Sequence, residues 1–347
     1  MSINKRSIVD DSPLKRFHIN LTIFSAGGPF LDGYLLSIIG MALIPLNKAF
    51  EINALWNGLI GASALIGIFI GGLIFGYLSD KIGREVMYRV DLIAFLVLSI
   101  LQLFVTNVEQ LFILRLLIGI AIGADYPIAT SLLTEFAPKK YRGKMLGVLT
   151  AAWYFGAAVA YFVGFFLLDA GPDAWRWMLG SSTIPTLIVL LLRLKTPESP
   201  RWLLSKGKKE KALAIMKQIY GESTTLEDIS IEKKQKISFA KLFGPVYRKR
   251  TTFVLLFWNF QLIPMFAIYT FAPTLLDTFN LNKGNLGHIG SALISLLFFV
   301  GNTAAIFFID RIGRRALLIW GFFFTTMALL GLGLAPNASS WLIISLF

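Results

Sequence analysis

The sequence predicts an all-α membrane protein with the internal repetition of a transporter, and three observations carry that prediction. The chain is 56% hydrophobic and 15% charged, with a mean hydropathy of +0.68. That is more apolar surface than a soluble protein of 347 residues could bury. The apolar residues fall into successive long runs separated by charged connections. Finally, the pentad Asp80-Lys81-Ile82-Gly83-Arg84 returns about 230 residues later as Asp310-Arg311-Ile312-Gly313-Arg314, each time between two such runs. A repeated charged turn between membrane helices is how many transporter folds show their internal symmetry.

A hydrocarbon core about 30 Å thick needs roughly 20 helical residues. On that length nine complete spans are predicted, over about 18–40, 56–79, 86–106, 110–133, 145–168, 176–195, 250–276, 286–309 and 315–334. A tenth begins near Trp341 and stops at Phe347. The organisation follows as an N-terminal six-helix half over 1–195, a central cytoplasmic loop with amphipathic helices over 196–249, and a C-terminal half over 250–347 that is incomplete within helix 10. In the loop, Ser199-Pro200 reads as a helix start, with serine as N-cap and proline at the first helical position. Ala212, Ile215, Met216 and Ile219 then form an apolar stripe. The second span carries Gly67, Gly71, Gly72 and Gly76, and the fourth Gly119 and Gly123, a small-residue spacing that lets helix backbones approach closely.

The net charge of +13 does not point to nucleic acid. Of the 33 Lys and Arg residues, 29 fall before the first span or on alternate connections, which is positive-inside asymmetry and places the N-terminus in the cytoplasm. No short apolar leader with a small-residue cleavage site precedes the first span. With no cysteine, and with His18 and His288 far apart, no metal site or cofactor is expected. Neither a nucleophile–base pair nor a phosphate loop is visible, so the chain is not read as an enzyme.

Charges inside spans cost several kcal/mol unless paired or hydrated, so they are functional candidates by default. Asp32 lies roughly 22 Å along the first span from its inner end, and Arg115 about 8 Å below the outer surface in the fourth, so the two could share a depth. Asp125 lies in the inner half of the fourth span, where Pro127 would bend the helix and free carbonyls toward a cavity. Trp153, Tyr154, Trp258, Asn259, Tyr269 and Asn302 could give a small-molecule site aromatic walls and polar anchors.

The string Gly76-x-Leu78-x-Asp80-Lys81-x-Gly83-Arg84, its echo at 310–315, Arg142-Gly143, and Pro197-Glu198-Ser199-Pro200-Arg201-Trp202 together resemble the major facilitator superfamily, and within it the sugar porters and related bacterial metabolite transporters. The resemblance implies two six-helix halves with substrate held between them near mid-membrane. It implies an inner gate built from Gly76, Asp80, Gly83, Arg84, Glu135, Arg142, Glu198, Arg201, Asp310, Arg311 and Arg314, whose charge pairs form when the inner side is closed. It also implies that Asp32 and Arg115 match the acid and base of sugar-porter-like proton symporters. The run Gly123-Ala124-Asp125-Tyr126-Pro127 is similar to that of phosphate:proton symporters, where the acid serves proton movement and the tyrosine faces substrate. That branch's seventh-span aspartate is replaced here by Met265, and of the sugar porters' seventh-span glutamine pair only Gln261 is present.

The expected function is proton-coupled symport of a small polar metabolite, a sugar or organic acid, by alternating access. The expected partners are that substrate, protons and the lipid bilayer, with no nucleic acid, and the expected form is a monomer in the inner membrane. Phosphate or organic-anion symport, passive uniport, export, and a sensor that keeps the fold without transporting are the alternatives.

Overall fold

The structure is a computed structural model that describes residues 8–193, 197–226, 239–278 and 285–334. Some side chains within those helices, including those of Asp80, Pro127, Asp310 and Arg314, lie outside the described set, as does the start of a tenth span expected near Trp341. The described residues contain thirteen α-helices. These are α1 (Arg16–Phe50), α2 (Ala54–Ile82), α3 (Arg84–Leu101), α4 (Val108–Phe136), α5 (Lys139–Leu167), α6 (Ala174–Gly180), α7 (Thr183–Arg193), α8 (Pro200–Ser205), α9 (Lys209–Tyr220), α10 (Phe239–Leu242), α11 (Arg248–Thr278), α12 (Asn285–Ile312) and α13 (Arg314–Leu334). Among them are nine candidate membrane spans, with α6 and α7 together forming the sixth.

Two spans differ from expectation. The first helix runs on to Phe50 instead of ending near residue 40, passing through Pro29 and Pro45. A proline removes one backbone donor, but Met41, Ala42, Leu43 and Leu46 are buried, so packing outweighs the lost bond. The sixth span is broken at Ser181-Ser182, whose hydroxyls donate back to the carbonyls of Met178 and Leu179 (2.5 and 2.8 Å). Back-bonding of this kind competes with the helical ladder.

Glycine spacing sets the packing of α2 on α4. A Cβ at Gly67, Gly71 or Gly119 would collide with the backbone at Leu116, Ile120 or Ala64 respectively. Gly76 belongs to no such contact, with nothing within 4 Å of an added Cβ. The C-terminal helices join the first half along two seams. Along α5 and α12, Ile306 fills the space above Gly147 and Phe155 meets Phe299 at 5.3 Å between ring centroids. Toward the outer side, a Cβ at Gly40 would lie 2.8 Å from the Tyr269 carbonyl, and one at Gly61 2.7 Å from Thr270 Cγ2.

Beneath the bundle, Ser199 caps α8 by accepting from the Trp202 amide (3.0 Å), and Gly207, at φ 75°, turns the chain from α8 toward α9. Val9, Leu203, Ala212 and Met216 share one small core. The segment before α1 is thereby tied to the loop helices.

Candidate functional site

Charged groups gather at two levels. The deeper one lies in the inner half of the first six spans, between α1, α3, α4 and α7. Arg193 Nη1 donates to Asp125 Oδ1 at 3.1 Å, with the two side chains 1% and 0% exposed. The Arg193 Nε also donates to the Phe24 carbonyl (3.3 Å), and its guanidinium lies 3.7 Å from the centre of the Tyr88 ring. A Cβ at Gly28 would strike Asp125 Oδ2 and Arg193 Nη2, so this glycine is what lets the pair seat against α1. Asp91 stands within hydrogen-bond reach of Asp125. One turn beyond Gly28, Asp32 is buried with neither carboxyl oxygen hydrogen-bonded, while Asp125, Asp91 and Arg193 lie within its electrostatic reach.

Arg115 does not join them. Its Nη1 donates to the Leu35 carbonyl at 2.7 Å, and it makes no hydrogen bond with Asp32. Asp32 and Arg115, which could share a depth, are thus not paired with each other in the structure. Although the two residues sit at comparable depth, the guanidinium finds a backbone acceptor one turn further along α1. Sequence reasoning missed Asp91 and Arg193. A strict census of charges within the predicted spans 86–106 and 176–195 finds both, although position alone places Arg193 with the basic residues of the following loop.

Above this cluster the interior becomes aromatic. Tyr126, next to Asp125, is 41% exposed and has Asp32, Trp153 and Tyr154 as neighbours. Trp153 packs edge-on against Tyr269 and Phe266 (5.4 and 6.1 Å between centroids), and the Tyr161 hydroxyl donates to the Tyr269 carbonyl. These contacts tie α5 to α11. Gln261 and Asn259 lie on an exposed stretch of α11. The Asn259 amide is spent within its own helix, donating to the Leu255 carbonyl at 2.8 Å, so the structure does not bring these two together with Trp153 and Tyr269.

The shallower level lies at the α2–α3 turn, the end of α4 and the start of α8. Arg84 pairs with Glu135, which also accepts from the Ser199 hydroxyl. Glu198 accepts from the backbone amides of Glu85 (3.1 Å) and Ser199 (2.8 Å). Burial pushes its carboxyl above the usual glutamate range, against the pull of those amides. Gly83, at φ 116°, lets Trp202 and Glu198 approach the turn, since a Cβ there would lie 2.9 Å from Trp202 Cζ2. Arg142, expected in the gate, binds Asp10 of the N-terminal segment at 2.6 Å and the Ala137 carbonyl at 2.9 Å. Arg201 is exposed on α8, and Arg311 is exposed at the end of α12, beside Gly313 at φ 90°. The side chains of Asp80, Asp310 and Arg314 lie outside the described residues.

The profile of the family described as sugar (and other) transporter matches residues 21–346. The chain belongs to that family. It is a major facilitator transporter and not an enzyme, and it resides in a membrane. A metabolite transport protein of Escherichia coli (strain K12), YaaU, is 42% identical to this sugar-transporter-family chain, covering 97% of it and 75% of the relative. The arabinose-proton symporter of Bacillus subtilis (strain 168) is 29% identical, over 92% of this chain and 73% of that protein. The E. coli xylose transporter XylE, solved in a partially occluded inward-open conformation, superposes with a TM-score of 0.80 at 24% identity, covering 95% of this chain and 82% of XylE.

Proposed function

We propose that this transporter is a proton-coupled symporter of a small polar metabolite of the sugar class, working by alternating access as a monomer in the inner membrane with its N-terminus in the cytoplasm. The observation that carries this reading is Asp32, buried in the first span with both carboxyl oxygens lacking a hydrogen-bond partner. A static structural ion pair would show the partner. A carboxyl without one is tolerated at that depth in its neutral, protonated form, which makes it a candidate to exchange a proton, and its neighbour Tyr126 is a partly exposed residue. Substrate bound against Tyr126, Trp153 and Tyr269, with Gln261 and Asn259 at the approach along α11, would then sense the charge on Asp32. Arg84, Glu135, Glu198 and Ser199 act as the inner gate, latching the cytoplasmic ends of α2, α3 and α4 to the central loop. The relatives that include an arabinose-proton symporter support this choice of substrate class.

The test is uptake into proteoliposomes with L-arabinose and D-xylose as first probes, with and without an inward proton gradient. Asp32→Asn should abolish accumulation against a concentration gradient while substrate counterflow persists. Gradient-independent uptake by the parent chain, or full accumulation by the variant, would overturn the proton-coupled reading.

A further inference from the structure

We propose that Arg193, at the end of the sixth span, is the counter-charge of the proton-holding site, a three-carboxyl cluster in which Asp32, Asp91 and Asp125 share this one guanidinium and hold two protons. The inference rests on the proton-coupled reading and assigns a positioning residue to it. Four elements face the cluster: α1 with Asp32 and Ser25, α3 with Asp91 and Tyr88, α4 with Asp125, and α7 with Arg193. Arg193 is fixed there by Asp125, by the Phe24 carbonyl and by the Tyr88 ring.

Charge balance follows from those contacts. Three ionised carboxyls beside one guanidinium would leave an excess of two negative charges in a dry interior, and each unpaired buried ion costs several kcal/mol. Asp125, bonded to Arg193, is the carboxyl that the guanidinium balances. Two facing carboxyls can hydrogen-bond only through a shared proton, so Asp91 donates its proton toward Asp125. Asp32, with no donor to either oxygen, holds the other. Arg193 is thus committed to Asp125, and Asp32 is left without a bonded counter-charge of its own. Arg115, turned to the Leu35 carbonyl, takes no part in the balance.

The test needs no substrate. In infrared spectra of the purified 347-residue chain in lipid nanodiscs at neutral pH, the carbonyl band of protonated carboxyls counts the buried acids that hold protons. Arg193→Gln removes the only guanidinium bonded to the cluster among the described residues, so all three acids should be protonated and the cluster's band should grow by about half. Asp125→Asn leaves Arg193 to be balanced by Asp91 or Asp32, so the band should fall by about half. Arg193→Lys should keep the parent band, and should fold even where the neutral variant does not. An unchanged band in both Arg193→Gln and Asp125→Asn, or growth in Arg115→Gln instead of Arg193→Gln, would overturn the assignment. A parent chain with uncoupled uptake but these band changes would leave the counter-charge in place and remove only its part in transport.

Discussion

The pairs Asp125–Arg193 and Glu135–Arg84 are chemically alike, and both acids stand on α4, ten residues or about 15 Å apart along the helix. Their surroundings separate them. Asp125 and Arg193 are fully enclosed, with two further carboxyls near and no other guanidinium bonded to them. Arg84 keeps 21% of its side chain accessible, and Glu135 divides its two oxygens between Arg84 and Ser199. In a dry layer an unbalanced charge is too costly to leave, so the imbalance is met by protons, which can be exchanged. In a wetter layer each contact is worth little by itself and can break and re-form, which suits a gate that opens every cycle. On the proposed reading, one layer stores charge and the other latches.

Breaking the deep pair should have the largest effect. Arg193→Leu is expected to destabilise the protein by about 3–5 kcal/mol because Asp125 loses its partner and must take up a proton at neutral pH to stay buried, while Arg193→Leu combined with Asp125→Leu should recover most of that loss. Thermal unfolding in detergent, followed for both singles and the double, checks this. A double variant no more stable than the singles would mean that packing of Arg193 on Tyr88, and not charge, fixes the layer.

The latch should respond more mildly. Glu135→Gln weakens a charge-assisted contact to Arg84 and should move the inward–outward equilibrium by about 2 kcal/mol, or roughly thirty-fold. The chain has no cysteine, so spin labels at two introduced cysteines can report the change without background. The tie between Asp10 and Arg142 is more exposed, at 38% and 32%. Asp10→Asn should therefore cost only about 0.2–1 kcal/mol, read as faster proteolysis of the N-terminal segment.

Much of this contrast was legible in the sequence. Nine runs of spanning length, the positive-inside bias and the duplicated turn at 80 and 310 each report a solvent preference, which a sequence carries position by position. So did the presence of acids at 32 and 125. What could not be read was pairing. Whether Arg115 meets Asp32 or the Leu35 carbonyl depends on the rotation of α4 about its axis, fixed by the glycine contacts of Gly67, Gly71 and Gly119. Arg193 was hidden for a different reason. It ends a span and is followed by loop lysines, so its charge looks interfacial until Gly28 is seen to open room for it against α1.

The smallest expected effect concerns Glu198, in the shallower layer beside the turn at Glu85. Its folded carboxyl titrates above the usual glutamate range because burial penalises the charged form. For an acid shifted in this direction, the folded state binds its proton more tightly than the unfolded state does. The linked stabilisation is full below the unfolded value and is lost as pH rises through the raised folded value. Stability should therefore fall slightly with rising pH across a window that begins in the ordinary glutamate range and extends above it. Glu198→Gln removes the titration while its amide oxygen can still accept from one of the two backbone amides at Glu85 and Ser199. Unfolding temperatures of parent and variant across that window should converge at its acid end and separate, with the variant favoured, at its upper end. If the parent gains stability over the parental window instead, the two amide bonds outweigh burial, and Glu198 behaves as the hydrated gate residues do and not as the dry layer above it.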